Sequence, residues 1–185
     1  MEMFLLRLSR RGGVGAVVMD TSVYEAHRDK MMTGDAIVFS STGLVSSIIK
    51  WRTKSPYSHV AMVARWKPYQ TERVFLCQAT GEMGIHPVLV SRYLAKHKGL
   101  AWWVPLRKEG LPADYDRKLL DAAAQDWGRS YDFQGIGQFL IPKWFKQQDE
   151  RRFCSEQFAI WLTKIGRLQD TFVSGGSFIA QPIFQ

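Results

Sequence analysis

The stretches HVAMVARW (residues 59–66), RVFLCQA (73–79) and GIHPVLV (84–90) are short, rich in β-branched and aromatic side chains, and parted by the turn-forming pairs Lys67-Pro68 and Thr80-Gly81. Runs of that length and composition between Pro and Gly read as strands, and their close succession predicts an antiparallel meander. Upstream, DAIVFS (35–40) follows the turn signal of Gly34 and reads as one more strand. Thr42 then stands where it can cap a helix carrying Leu44, Ile48, Ile49 and Trp51 on one face. Downstream, a short polar helix is expected over 91–98 and a further strand over LAWWVPL (100–106).

After Pro112 the period changes. Leu119, Leu120, Ala123, Ala124 and Trp127 recur at helical spacing before Gly128. A second helix is expected from Cys154 to Lys164, with Phe158, Trp161, Leu162 and Ile165 as its apolar stripe before Gly166. Strands in the first half and helices in the second predict an α+β fold, a small antiparallel β-sheet or barrel packed against helices. The 185 residues, 46% of them hydrophobic, with seven Trp and eleven Phe, are enough for one core. No repeat, low-complexity tract or linker divides them, so a single domain over 1–185 is expected, its core at about 34–166. Residues 1–33 form an N-terminal extension in which a Gly-rich break at 12–15 precedes a short helix starting near Asp20 or Thr21.

Composition narrows the function classes. Cys77 and Cys154 are too few for a disulfide framework and lack zinc-ligand spacing, so free thiols, no metal and no cofactor are expected. No apolar run approaches the ~20 residues of a membrane span. The opening MEMFLLRLSRRGG has its charges after its apolar piece, the wrong order for a secretory signal. A cytoplasmic location follows by default, with delivery by a non-classical route left open. The net charge of +8 and pI near 9.7 favour an anionic surface as partner, or simply basic solubility, because the Lys and Arg residues are dispersed. Nucleic acid is not an expected partner, since no clustered basic and aromatic pattern is present. IPKWFK (141–146) sets Trp144 and Phe145 between lysines, which suits a membrane interface, an anionic polymer, or plain loop packing.

Three residues carry candidate chemistry. Cys154 falls at a helix start behind Arg151 and Arg152, where the helix dipole and the two cations favour thiolate, the nucleophilic form. A lone cysteine is otherwise a small buried hydrophobe. His59 opens a strand after the turn residues Ser55 to Ser58, a position from which an imidazole can lean toward a helix packed on the sheet and act as base. The alternative is a histidine with a satisfied structural hydrogen bond. Gln78, polar amid Phe75, Leu76, Cys77 and Ala79, either faces solvent on an alternating strand or is buried and needs a partner, in which case it can orient an imidazole.

The order Gly34-Asp35-Ala36-Ile37-Val38-Phe39, Ser58-His59-Val60-Ala61-Met62-Val63, a polar residue before Ala79, GRSYD (128–132) and Phe153-Cys154-Ser155-Glu156 resembles the circularly permuted NlpC-type branch of papain-like cysteine hydrolases. That branch includes relatives of lecithin:retinol acyltransferase. The resemblance covers residues 34 to 166 and implies a papain-like, circularly permuted fold with the nucleophile helix near the C-terminus. It implies Cys154 as nucleophile, His59 as general base and Gln78 as orienting residue, where the branch often carries Glu. It also implies an acyl-enzyme on an amide or other acyl bond, with the Cys154 N–H and a second donor, Tyr57 or Tyr131, holding the oxyanion. Peptidoglycan peptides are the first expected substrate. A lipid-directed amidase, thioesterase or acyltransferase is the alternative, and a non-catalytic binding module retaining the fold a third. Asp35, at a turn into a strand, is expected to bond local backbone N–H groups rather than react.

Overall fold

A computed structural model of the chain describes residues 17–130 and 154–168; Tyr131 and the IPKWFK segment lie outside the described residues. The elements in chain order are β1 (Val17–Val18), α1 (Thr21–His27), β2 (Ala36–Ser41), α2 (Leu44–Thr53), β3 (His59–Trp66), β4 (Arg73–Thr80), β5 (Gly84–Leu89), α3 (Val90–Leu94), β6 (Gly99–Val104), α4 (Tyr115–Ala124) and α5 (Cys154–Lys164). The expected N-terminal helix is α1, capped by Asp20, whose carboxylate accepts the Val23 N–H at 2.8 Å.

The six strands form one antiparallel sheet in the order β1-β6-β2-β3-β4-β5. Among the described residues no pairing joins β5 to β1, so the architecture is an open sheet rather than the barrel that the sequence also allowed. Both faces are covered, which is why the strands read as near-continuous apolar runs. Val38, Val60, Met62 and Cys77 pack on one face with Leu119 of α4 and Phe158, Trp161 and Leu162 of α5. Ile37, Phe39, Val63 and Leu76 pack on the other with Tyr24 of α1 and Val90 and Leu94 of α3.

Two expectations are corrected. Thr42 does not cap α2: Gly43 holds that position at φ +121°, and the Thr42 hydroxyl donates to the Lys98 carbonyl at 3.1 Å. On α2, Leu44 and Trp51 are 79% and 78% exposed, while Ile48 and Ile49 are half-buried. The short helix expected over 91–98 ends at Leu94.

Two buried carboxylates tie elements together. Asp35 accepts the Met32 N–H at 2.9 Å, the Trp103 indole N–H at 2.8 Å and the Leu106 N–H at 3.0 Å, so its bonds are structural, as expected, and reach β6 besides its own turn. Asp126, in the turn after α4, accepts from Gln157 Nε2 and Trp161 Nε1, both at 3.0 Å, and from Lys164 Nζ at 3.4 Å. Positions 157, 161 and 164 lie on one stripe of a helix, so a single carboxylate fixes the rotation of α5 about its axis.

Candidate active site

His59 is the first residue of β3, and the turn before it is pinned to β2. Ser58 N–H donates to the Phe39 carbonyl at 2.8 Å, and Ser58 Oγ accepts the Ser41 N–H at 3.0 Å. His59 pairs with Phe39 in the register, and the two rings stack with centroids 5.7 Å apart. Cross-strand partners share a face, so the His59 ring stands on the α1/α3 side of the sheet. Cys154, first residue of α5, packs on the opposite side.

The two meet because the sheet opens between them. The β3–β4 ladder runs from Trp66/Arg73 to Met62/Cys77 and stops there, leaving Val60 and His59 beyond its last rung. In that gap Cys154 Sγ bonds His59 and accepts the backbone N–H groups of Val60 and Ser155. Burial alone pushes the Cys154 thiol up, but the charge and hydrogen bond of His59 and the two N–H groups outweigh it, and its pKa falls below the ordinary thiol value. Burial likewise pushes His59 down, and the Cys154 thiolate with the bonds to Cys154 and Gln78 overcomes it, so His59 rises above an ordinary imidazole. Both directions favour a thiolate–imidazolium pair.

Gln78 is 3% exposed, which decides between its two alternatives in favour of the buried, partnered one. Its Oε1 lies 2.8 Å from His59 Nε2. An amide oxygen only accepts, so Nε2 carries the proton and Nδ1 is left for Cys154. The structure thus brings together Cys154, His59 and Gln78. Tyr57 is buried on the α4/α5 side with its ring edge-on to Trp102 at 5.5 Å. The tyrosine whose ionisation burial and then the Cys154 charge both oppose is Tyr93 of α3.

Sequence reasoning missed three residues around this site. Tyr93 packs edge-on to Phe39 at 5.0 Å and stacks on His97 at 5.9 Å. His97 is lowered by burial first and by the positive charge of His59 last, which places it in the same electrostatic neighbourhood. His86 sits directly opposite Gln78 in the β4–β5 register. The His86-Pro87 pair was readable as an edge strand, since Pro is confined to edges, but nothing in its pattern marks the imidazole.

No protein-family model matches the chain, and no curated protein matches it. Over 72% of the chain, the fold is similar to the crystal structure of metalloprotein yiiX from Escherichia coli O157:H7, DUF1105, with a TM-score of 0.52 and 25% sequence identity. The match spans 66% of that chain, just under two thirds of its length. The described residues of this site do not fit a metal. Among the described residues no group of three His, Cys, Asp or Glu is placed to hold an ion. His59 is already committed to Gln78 and Cys154, and His86 to Gly84 and Gln78. Among the described residues, no helix is long and apolar enough to cross a membrane.

Proposed function

We propose that the chain is a papain-like, circularly permuted cysteine hydrolase cleaving an amide or other acyl bond through Cys154. The observation that carries this reading is the continuous bonded series Cys154, His59, Gln78, with the thiol held down and the imidazole held up. The chain order, with the base on β3 and the nucleophile on the last described helix, is what a circular permutation of the papain arrangement produces.

The Cys154 thiolate attacks the acyl carbonyl carbon, forming the S–C bond and an oxyanion. The Cys154 N–H, at the first turn of α5 where backbone donors have no intrahelical acceptor, is aimed to receive that charge. Collapse breaks the bond to the leaving group, which takes the imidazolium proton of His59. Water then attacks the thioester as His59 accepts its proton, releasing the acid and restoring the thiolate–imidazolium pair. The Tyr93 hydroxyl joins Tyr57 and Tyr131 as a candidate second oxyanion donor.

Peptidoglycan-derived peptides are the first substrate class. A specific observation favours the lipid-directed alternative as the second. α2 runs up to the turn before His59 with Leu44, Val45 and Trp51 exposed. Lys50 lies on the same helix and Lys54 follows its last turn. A cationic, apolar surface next to the base suits an acyl chain with an anionic headgroup. The test is labelling by a thiol-directed activity probe, with Cys154→Ala as control, followed by turnover on peptidoglycan fragments and acyl lipids. No Cys154-dependent labelling and no turnover on either class would leave only the binding-module reading.

A further inference from the structure

A glutamine differs from a carboxylate in one respect that matters beside an imidazole. Its two ends are unlike, one accepting and one donating, and they occupy nearly the same volume. With the oxygen toward His59, Nε2 of the imidazole keeps its proton and Nδ1 is free to serve Cys154. With the amide turned over, the NH2 donates to His59 Nε2, the ring proton moves to Nδ1, and the base faces Cys154 already protonated. While His59 is an imidazolium, both of its nitrogens donate and only the oxygen satisfies the contact; once His59 is neutral, as it must be to act as base, both arrangements satisfy it and the contact alone does not choose between them.

The choice is made on β5. His86 stands opposite Gln78 in the register, with its Nδ1 3.0 Å from the Gly84 carbonyl and its Nε2 3.4 Å from Gln78 Nε2. A carbonyl oxygen only accepts, so neutral His86 carries its proton on Nδ1 and offers Nε2 as an acceptor. That acceptor suits the amide NH2 and opposes the amide oxygen. The Gly84 carbonyl is itself held in place. Gly84 has φ +68°, and a Cβ there would collide with the Arg129 carbonyl, which accepts the Ile85 N–H at 2.9 Å while Gly128 N–H donates to the Ile85 carbonyl at 2.8 Å. The turn after α4 thereby fixes the chain that presents Gly84, and only a residue without a side chain fits between.

We infer that His86 is a positioning residue of this site: its neutral imidazole, held by the Gly84 carbonyl, binds the NH2 of Gln78 and so compels the amide oxygen to face His59. The inference rests on the Cys154–His59 reading above. The direction of influence runs from Gly84 through His86 and Gln78 to the tautomer of His59. His86 does not touch Cys154 in this scheme; it acts by selecting which nitrogen of His59 is free.

The experiment reads the thiol and the ring, and needs no substrate. Second-order alkylation of Cys154 by iodoacetamide is followed against pH, and the tautomer of neutral His59 is read from the 15N shifts of its ring nitrogens above the pH at which the ring loses its second proton. The proteins are wild type, His59→Ala, His86→Phe, His86→Gln, Gln78→Glu and the double variant His86→Phe with Gln78→Glu. His86→Phe keeps a ring and removes the acceptor, making the two amide orientations near-equal. It should mix the His59 tautomers and slow alkylation near neutral pH by up to about twofold, since near-equal orientations leave half of the molecules competent. His86→Gln, which can offer an oxygen at the same reach, should restore part of the rate. In the Gln78→Glu background both ends accept, orientation ceases to matter, and His86→Phe should leave a single tautomer of neutral His59. An equal loss in both backgrounds, or a single wild-type tautomer retained in His86→Phe, overturns the inference while leaving the Cys154–His59 pair standing. If wild-type Cys154 is no more reactive than in His59→Ala, the pair itself fails and the inference goes with it. Should His86→Phe not fold, the comparison of His86→Gln in the two backgrounds decides on the same criterion.

Discussion

Asp126 is the residue whose loss should show what places the helix that begins at Cys154. Its carboxylate is 1% exposed and holds three positions along one stripe of α5, with Arg129 Nη1 at 2.7 Å on its other oxygen. Asp126→Ala strands two buried neutral donors, Gln157 Nε2 and Trp161 Nε1, at about 1–3 kcal/mol each. Lys164 and Arg129 are half-exposed, can turn to water, and add only ~0–1 kcal/mol apiece. The expected destabilisation is therefore about 2–8 kcal/mol, a large part of the ~5–15 kcal/mol typical of a domain. Equilibrium urea unfolding should show the midpoint falling with its slope unchanged. The pH dependence carries a sign. Burial pushes the Asp126 carboxyl up, but the Trp161 bond and the Lys164 and Arg129 charges outweigh it and its pKa lies below the ordinary value. A carboxyl lower in the folded than in the unfolded state stabilises above about pH 4 and loses that contribution as pH falls through the folded pKa. The gap between wild type and Asp126→Ala should therefore narrow on acidification. A loss under about 1 kcal/mol at neutral pH, or a gap that widens in acid, would refute the placement of this carboxylate as the anchor of α5.

His59→Ala removes the largest influence lowering the Cys154 thiol and leaves burial against two backbone N–H groups, so its alkylation profile should move to higher pH. An ordinary thiol is only about 3% ionised at pH 7, so the wild-type advantage there is bounded at roughly thirtyfold and reduced by the lower nucleophilicity of a more acidic thiolate; an unshifted profile would remove His59 from the site. Cys77 is buried inside β4, its thiol pushed up to about 12, so limiting iodoacetamide at neutral pH should modify Cys154 first, and mass spectrometry showing Cys77 modified first in folded protein would reverse the assignment. Asp35→Ala strands the Met32, Trp103 and Leu106 donors and should lower stability by about 3 kcal/mol or more without altering the alkylation profile of Cys154; a stable variant would show that water satisfies them.

What was legible in the sequence was what local pattern dictates. β3 and α5 fall at 59–66 and 154–164 as read, because one is a β-branched run between turns and the other a helical stripe ended by Gly166. The Cys154, His59 and Gln78 candidates were legible as residue types in unusual surroundings. The openness of the described sheet was not, since it depends on whether its two edge strands β1 and β5 pair, a contact across more than 60 residues that no window of sequence contains. Nor was the capping of α2, where Gly43 took the position that Thr42 fits by propensity, because the Thr42 N–H and hydroxyl both donate to the Lys98 carbonyl 56 residues away and hold that residue at the end of the β2–β6 ladder. Tyr93 and His86 escaped for the same reason. Each joins the site through a tertiary contact, Tyr93 across the Phe39 ring and His86 across a strand pair.

The neutral third residue has a consequence for charge that bears on why such a network is built. With a carboxylate at position 78, the positive charge of His59 would be shared between that carboxylate and the Cys154 thiolate, and the imidazolium would be held at higher pH whether or not the thiol ionised. With Gln78, the imidazolium has one anionic partner, so protonation of His59 and ionisation of Cys154 are tied to each other more tightly. The amide stabilises the ring by a hydrogen bond and contributes no net charge. Its disadvantage is an orientation that the His59 contact alone leaves undetermined once the ring is neutral. A strand pair that places an imidazole opposite the amide, next to a glycine carbonyl that settles the tautomer of that imidazole, supplies the missing selection from the backbone itself. The chain therefore fixes the protonation geometry at Cys154 through β5 and the turn after α4, elements that carry none of the reacting atoms.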